Sequence, residues 1–193
     1  MAVTVGEGKR AKTVERDEHF RDDASLEEMA KLRPVFKRDG TITAGNASAI
    51  TDGAAALVVL AESAARQHDI TPQAALLGAV SVGVDPARMG ISPVPAVRKL
   101  LERLKMKLED VDVIELNEAF ASQVLAVDRE LRFDRERLNV NGGGIALGHP
   151  TGCSGTRIVV TLLSELERVK GRYGLATLCV SGGLGMALLV ERL

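Results

Sequence analysis

The sequence VDVIELNEAFASQVLAVDREL, residues 111–131, contains the pattern that decides the fold. Its first part, residues 111–116, is short and mostly apolar, which predicts a buried strand. The part that follows, residues 118–131, is long enough for a helix and has apolar residues at helical spacing. A strand that leads directly into a helix is the repeating unit of layered α/β proteins. The stretch therefore predicts the α/β fold class.

The same alternation extends to both sides of this stretch. Residues 95–105 are predicted to form an amphipathic helix, because Val97 and three leucines fall on one stripe. A longer helix is predicted at residues 151–170. Strands are predicted at residues 74–84, 138–140, 175–180 and 186–191. Because the alternation closes with a pair of strands, we expect a layered domain with a mixed β-sheet over residues 73–193.

The residues before this domain are less regular. Residues 1–50 are charged and lack strand periodicity, and we expect them to form part of a loop domain. They contain one helix signal, in which Ser25 is the N-cap and Glu28 completes a capping box. Residues 51–72 are predicted as a strand–helix segment. The strand, AAALVVL at 54–60, is apolar on both faces, as expected of a fully buried strand.

Composition and charge exclude several classes of protein. The chain has 193 residues, 46% of them hydrophobic, so it can bury a sizeable core. Its 25 Lys and Arg against 26 Asp and Glu give a net charge of −1, which indicates neither a nucleic-acid partner nor an anionic membrane surface. The apolar run AAALVVLA is too short to span a bilayer. The 2 cysteines form no disulfide framework, so we expect a cytoplasmic protein.

Asn117 lies where the predicted strand at 111–116 meets the helix that follows it. An asparagine in this place can cap the helix with its side chain. Alternatively, it can present its amide to a ligand or hold a water, because open α/β folds usually build their sites at strand ends. The residues alone leave both interpretations open.

His149 stands between Gly148 and Pro150, in a glycine-rich loop at residues 141–152 that precedes a long helix. A single histidine is often structural. Here, however, the glycines allow a substrate to approach closely, and the nearby helix N-terminus favours a neutral imidazole. A neutral histidine with a free N–H can donate a hydrogen bond to a developing oxyanion.

Cys179 leaves a predicted buried strand and enters the turn Ser181-Gly182-Gly183. Its thiol can face a cleft, at which the turn also aims its backbone N–H groups. The alternative is that Cys179 is a small buried hydrophobic residue. Cys153, which lies beside other small residues in the first turn of a predicted helix, is interpreted as structural.

Several kinds of site are not supported. The 2 cysteines and 3 histidines show no paired ligand spacing, so no metal site is predicted. The glycine-rich loop lacks the Gly-Lys-Ser/Thr ending of a P-loop. No G-x-S-x-G follows a strand, as a serine hydrolase of the α/β type would need, and signatures of nucleic-acid binding are missing.

Short blocks spread along the chain resemble the thiolase family. NEAF at 117–120, GHP at 148–150 and Cys179 with its glycine turn are similar to the three C-terminal active-site blocks of that family, in the same order and with similar spacing. The stretches at residues 31–36 and 45–56 resemble the family as well. The resemblance covers essentially the whole chain and implies the C-terminal half of the thiolase fold.

This resemblance implies an acyltransferase that catalyses Claisen condensation of acyl-CoA with acetyl-CoA, or thiolysis of a 3-ketoacyl-CoA. The cysteine matching Cys179 is the family's base, which removes a proton from the α-carbon of acetyl-CoA or returns it. His149 and a water held by Asn117 would bind the thioester oxygen of the enolate. An α-proton beside a thioester is a weak acid, so the base needs a poised thiolate and the enolate needs preorganised donors.

The resemblance also implies a surface for coenzyme A, which is a substrate and not a permanently bound cofactor. Ser48 would contact the pantetheine arm. Arg21 would lie near the nucleotide end, although it can equally be a solvated charge. The residues expected to line the channel are Ala44, Phe36, Met89, Ala119 and Phe120.

Two departures from the family pattern affect this interpretation. The family usually has Cys-x-Gly where this chain has Cys179-Val180-Ser181. The backbone N–H of Ser181 can still help to form a second oxyanion hole, but a side chain now enters the substrate pocket. The second departure is that neither Cys153 nor Cys179 lies in a context resembling the family's nucleophilic cysteine.

The expected partner is therefore a separate chain that carries the N-terminal half of the fold and the nucleophile, within a higher hetero-oligomer. In that case the chain is an enzyme subunit. Two alternatives stay open, namely a non-catalytic coenzyme A-binding or interaction module and an inactive truncation product. The presence of Asn117, His149 and Cys179 together favours the enzyme, because a binding module needs no base.

Overall fold

The computed structural model describes residues 2–193. In this part of the chain the strands are β1 (Val3–Val5), β2 (Lys12–Val14), β3 (Ala74–Gly83), β4 (Val113–Leu116), β5 (Tyr173–Val180) and β6 (Leu184–Arg192). The α-helices are α1 (Leu26–Ala30), α2 (Glu62–Gln67), α3 (Pro93–Leu104), α4 (Ala121–Leu131), α5 (Gly144–Leu147) and α6 (Ser154–Val169). Short 3₁₀ helices lie at Gly8–Arg10, Pro86–Ile91 and Leu108–Asp110.

The main sheet is mixed, with the strand order β3-β6-β5-β4. Strand β6 is antiparallel to both β3 and β5, whereas β4 and β5 are parallel. A parallel pair needs a long crossover connection, which here contains α4, α5 and α6. The predicted α/β class and the predicted mixed sheet are therefore confirmed.

Helices cover both faces of this sheet. On one face α3 contributes Leu100 to a buried cluster that includes Ile114 of β4. On the other face α6 contributes Leu162 to a second cluster that includes Val113 of β4. Adjacent residues of a strand point to opposite faces, which is why Val113 and Ile114 belong to different clusters. The result is a helix–sheet–helix arrangement with a core on each side of the sheet.

Some elements begin or end at different residues from those expected. Helix α6 begins at Ser154 and not at 151, because the amides of Cys153 and Ser154 both donate to the Pro150 carbonyl, at 2.8 and 2.9 Å, and close a turn. The expected strand at 138–140 is reduced to a single bridge to β4. The chain turns at Asn139, where φ is 48°, and a strand cannot continue through that conformation.

The N-terminal region contains one short helix and one hairpin. Helix α1 confirms Ser25 as the N-cap, since the amide of Glu28 donates to Oγ of Ser25 at 3.2 Å. The capping box is not completed, because the carboxylate of Glu28 accepts from Lys31 at 2.6 Å. Strands β1 and β2 pair in an antiparallel hairpin that the sequence pattern did not indicate. Most residues of this region are exposed.

The strand predicted at residues 54–60 does not form. Val58 and Val59 are 87% and 79% exposed, although the segment is apolar on both faces. A strand needs a hydrogen-bonded neighbour, and no strand between residues 2 and 193 pairs with this segment. The pattern correctly marks residues suited to burial, but the prediction of a strand is wrong for this chain. Helix α2 follows the segment, as expected.

Candidate active site

Asn117 and Cys179 lie at the same edge of the main sheet. Asn117 follows the last residue of β4, and its backbone N–H donates to the carbonyl of Thr177 in β5 at 3.0 Å. Cys179 lies two residues beyond Thr177, near the end of β5. Because β4 and β5 are parallel, their carboxyl ends meet at one edge. The strand pairing therefore brings these two predicted site residues close together.

The side chain of Asn117 is buried and does not cap a helix. Helix α4 begins at Ala121, with Phe120 in the N-cap position, so the capping interpretation is wrong. Asn117 is only 1% exposed, and neither Nδ2 nor Oδ1 has a hydrogen-bond partner within residues 2–193. A buried amide without a partner is costly, which indicates that a group outside this set of residues should bind there.

The glycine-rich loop lies directly against Asn117. A Cβ atom at Gly144 would be 3.5 Å from Oδ1 of Asn117 and 3.0 Å from the Glu118 carbonyl. After helix α5 the chain turns at Gly148, where φ is 91° and any side chain would overlap Thr51. The amide of the next residue, His149, donates to the carbonyl of Ala49 at 2.8 Å. The loop is thus held at both ends, against Asn117 at Gly144 and by the Ala49 carbonyl at His149.

The imidazole of His149 is held by a serine that the sequence reasoning missed. Nδ1 of His149 lies 2.5 Å from Oγ of Ser154, and Ser154 is completely buried in the first turn of α6. Burial lowers the pKa of His149, and the positive charge of Arg157 lowers it further. The lowered pKa favours the neutral imidazole at pH 7. A serine five residues after the histidine was the signal in the sequence.

Cys179 is buried, and burial raises the pKa of its thiol, an effect that a backbone hydrogen bond partly offsets. The thiol is therefore the resting form in this chain. The turn that follows places Ser181 in an exposed position. Gly183 in the same turn has φ of 88°, and a side chain there would overlap the Val84 carbonyl. The glycines of this turn thus allow it to pack against the end of β3.

Cys153 occupies a different environment. It is half-buried at the N-cap position of α6, where its Sγ lies 3.6 Å from the place of a Cβ atom on Gly53. Both cysteines are free thiols.

Most residues of the expected coenzyme A surface lie together. The amide and Oγ of Ser48 both donate to the Ala119 carbonyl, at 3.0 and 3.1 Å. Phe36 packs edge-to-face on Phe120, with ring centroids 5.8 Å apart. Phe36 is 70% exposed, so it does not belong to the core. The loop that carries Ser48 also carries Ala44, which is exposed.

The two other residues of this predicted surface lie elsewhere in the chain. Met89 is half-buried in the 3₁₀ helix Pro86–Ile91, which packs against α4. Arg21 is exposed, and no hydrogen bond or ion pair within residues 2–193 joins it to the others.

A buried carboxyl group two residues before Asn117 was also missed. Glu115 of β4 is 1% exposed, and its Oε1 has no hydrogen-bond partner among the described residues. Burial raises the pKa of Glu115 to about 7, Arg157 of α6 lowers it, and Glu118 and Glu165 raise it. The signal in the sequence was a single carboxylate inside the otherwise apolar strand VIEL.

Residues 2–193 contain no cluster of three or more His, Cys, Asp and Glu side chains arranged to hold a metal ion. None of the helices in the same range is long and apolar enough to cross a bilayer.

The fold is a mixed sheet covered by helices, with Asn117 and Cys179 at one edge and the loop that bears His149 against Asn117. Residues 70–192 match the family model described as thiolase, C-terminal domain, and residues 1–63 match the model described as thiolase, N-terminal domain. The chain therefore belongs to the thiolase family of acyltransferases.

Individual relatives agree with this assignment. The chain is 55% identical to the beta-ketoadipyl-CoA thiolase of Pseudomonas putida, over 100% of this chain and 48% of that protein. The acetyl-CoA acetyltransferase of Bacillus anthracis superimposes with a TM-score of 0.95 at 49% identity, covering 100% of this chain and 49% of that one. Human mitochondrial 3-ketoacyl-CoA thiolase in complex with CoA superimposes with a TM-score of 0.87 at 44% identity, covering 94% of this chain and 46% of that one. The chain thus spans about half the length of the curated relatives it matches.

Proposed function

We propose that this chain supplies the base and the enolate-binding residues of an acetyl-CoA C-acyltransferase. The observation that carries the proposal is the buried, unpartnered amide of Asn117, which lies against the loop that bears His149. A neutral imidazole beside such an amide provides preorganised donors for an oxyanion. Cys179 at the same sheet edge is the group that can move a proton.

The proposed chemistry is a proton transfer coupled to the making or breaking of a carbon–carbon bond. In condensation, the thiolate of Cys179 takes the α-proton of acetyl-CoA. The electron pair of that C–H bond forms the enolate, whose oxygen accepts hydrogen bonds from His149 and from a water held by Asn117. The enolate carbon then attacks an acyl thioester, the new C–C bond forms, and the acyl C–S bond breaks to release a thiolate.

Thiolysis runs the same steps in reverse, so the thiol of Cys179 returns the proton to the enolate carbon. The raised pKa of Cys179 suits this direction, because the resting group already carries the proton. Condensation requires that the completed site stabilises the thiolate. Ser181 contributes its backbone N–H to a second oxyanion hole around the acylated cysteine, while its hydroxyl narrows the pocket beside Cys179.

Coenzyme A is the proposed substrate carrier, and no permanently bound cofactor is required. The surface formed by Ser48, Ala119, Phe120 and the exposed Phe36 offers both an apolar wall and polar groups to a pantetheine arm. One relative, human mitochondrial 3-ketoacyl-CoA thiolase, has been solved in complex with CoA. Ala44 and Met89 extend this wall, and Arg21 interacts with the nucleotide end.

The nucleophilic cysteine of the proposed enzyme comes from an N-terminal-half chain in a hetero-oligomer. The exposed apolar segment at residues 54–60 supports this part of the proposal, because it has the composition of a central strand but pairs with no strand within residues 2–193. Pairing with a second chain would satisfy its backbone groups and bury its valines. Free thiols at both cysteines are typical of a reducing compartment, which supports a cytoplasmic location.

The decisive experiment is co-expression of this chain with an N-terminal-half thiolase chain, followed by an assay of acetoacetyl-CoA thiolysis. We expect activity from the pair and none from this chain alone. The alternative function, a coenzyme A-binding module, is favoured by the buried and protonated thiol of Cys179. Coenzyme A binding without turnover by the assembled pair would support that alternative and contradict the enzyme.

A further inference from the structure

Glu118 connects the two segments that carry the proposed enolate-binding residues. Its Oε1 accepts a hydrogen bond from Nδ2 of Asn139 at 2.9 Å, and its Oε2 accepts one from the amide of Ile145 at 3.2 Å. We propose that Glu118 is a positioning residue that sets the separation between Asn117 and His149. It acts through these two bonds and not by contact with substrate.

One end of this connection is fixed to β4. The side chain of Asn139 pairs with the last residue of the strand, because Oδ1 accepts from the Leu116 amide and Nδ2 donates to the Leu116 carbonyl, both at 2.8 Å. The second hydrogen of Nδ2 then points to Glu118. Both side-chain amide hydrogens of Asn139 thus take part in hydrogen bonds. They hold the carboxylate of Glu118 at the end of β4, next to Asn117.

The other end is fixed to the loop that carries His149. Ile145 lies in helix α5, whose single turn is closed by bonds from Leu147 to the Gly143 carbonyl at 2.9 Å and from Gly148 to the Gly144 carbonyl at 3.0 Å. His149 is the next residue. Because α5 is one closed turn, holding the amide of Ile145 also holds the start of the GHP block.

The glycines of the loop fit this role. A side chain at Gly143 would overlap the carboxylate of Glu118, and a Cβ atom at Gly144 would be only 3.0 Å from the Glu118 carbonyl. The loop backbone therefore lies so close to Glu118 that only glycine fits at these two positions. This close approach explains Gly143 and Gly144, and the positive φ of 84° explains Gly142, without any phosphate ligand.

The chemistry of both partners requires a carboxylate. Asn139 Nδ2 and the Ile145 amide are both hydrogen-bond donors, and a carboxylate accepts from both. A glutamine has one acceptor oxygen, and its amide group would face a second donor. The substitution Glu118→Gln should therefore break the longer of the two bonds, from the Ile145 amide at 3.2 Å, while preserving the volume of the side chain.

The inference rests on the proposed function in one respect, namely that Asn117 and His149 must lie close together to bind the enolate. Its test therefore measures the structure of this chain alone and does not depend on enzyme turnover. In the ¹⁵N-labelled chain we would measure amide hydrogen exchange at Ile145 and the imidazole resonances of His149. For Glu118→Gln we expect about tenfold faster exchange at Ile145, the result of losing one hydrogen bond, and shifted His149 resonances. Glu136→Gln, at an exposed carboxylate nearby, should change neither.

A second variant guards against a general folding defect. Gly143→Ala keeps the carboxylate but forces it away from the loop, and it should reproduce both changes. Unaltered exchange at Ile145 and unaltered His149 resonances in Glu118→Gln would overturn the proposal. If the resonances shift as expected but an assembled pair shows no thiolysis, the positioning role stands and the proposed function fails.

Discussion

His149 and Ser154 are joined by a hydrogen bond of 2.5 Å between Nδ1 and Oγ at the start of α6. Oγ of Ser154 also lies 3.2 Å from the Pro150 carbonyl, but a hydroxyl has only one proton to donate. Because the Pro150 carbonyl already accepts from the amides of Cys153 and Ser154, at 2.8 and 2.9 Å, we infer that the hydroxyl proton is donated to Nδ1 of His149 and not to this carbonyl. This arrangement leaves the imidazole proton on Nε2, where it can be donated to a substrate oxygen.

Ser154→Ala should therefore change the tautomer of His149. We expect the ¹⁵N shifts of Nδ1 and Nε2 to move towards a mixture of tautomers, because Nδ1 loses its donor. In an assembled enzyme the rate should fall by about 100-fold, as for the loss of an oxyanion donor. Ser164→Ala, at an exposed serine on the same helix, is the matched control. An unchanged Nε2–H tautomer in Ser154→Ala would contradict this assignment.

The buried carboxyl of Glu115 should make stability depend on pH. Its pKa is raised from 4.5 to about 7, chiefly by burial, so the folded chain holds the proton more tightly than the unfolded chain. The stabilising contribution is complete below pH 4.5 and is lost as the pH rises through about 7. The loss is on the order of 3 kcal/mol.

Urea unfolding of the native chain and of Glu115→Gln between pH 4.5 and 8 measures this contribution. We expect the free energies of unfolding to diverge across that range, with the native chain losing more as the pH rises. Glu167→Gln, at an exposed position on α6, is the control, and its free energy of unfolding should change with pH in the same way as that of the native chain. Parallel curves for Glu115→Gln as well would show that Glu115 titrates normally.

The turn after Cys179 provides a matched pair of glycines. Gly182 and Gly183 both have positive φ, 83° and 88°, but only Gly183 lies against the Val84 carbonyl. Gly182→Ala should cost about 1 kcal/mol of unfolding free energy through backbone strain alone. Gly183→Ala should cost about 2–3 kcal/mol, because the turn must also move away from β3. Equal losses in thermal or urea unfolding would contradict this packing.

The apolar segment at 54–60 should matter for assembly and not for the stability of the isolated chain. Val58 and Val59 are exposed, so replacing both with Asp should change the free energy of unfolding by less than about 0.5 kcal/mol per site. The same variant should fail to co-purify with an N-terminal-half chain, because a charge cannot enter a paired central strand. Normal complex formation on size-exclusion chromatography would be the contrary result.

Periodicity predicted the C-terminal domain well because its signals are local. The stripe on α3 and the apolar strands β4, β5 and β6 each show their pattern within a few residues, and alternation of the elements implies layers. The segment at 54–60 has an equally clear pattern, but a strand also needs a neighbour, which local sequence does not supply.

The site was predictable only in part. The block positions of Asn117, His149 and Cys179 were recognisable through a family resemblance. The link from Glu118 to Asn139, 21 residues away, was not, because it depends on how the loop folds back on β4. The contact between His149 and Ser154 was equally hidden, since α6 begins three residues later than the pattern indicates.

The role of Cys179 is tested most directly by exchange of the α-protons of acetyl-CoA with deuterium from solvent, measured by NMR on the assembled pair of chains. Exchange needs the base and the enolate-binding residues but no carbon–carbon bond formation. We expect Cys179→Ala to lower the exchange rate by about 10³-fold, whereas Cys153→Ala, at the other free cysteine, retains it. Exchange at the native rate in Cys179→Ala would show that another group is the base.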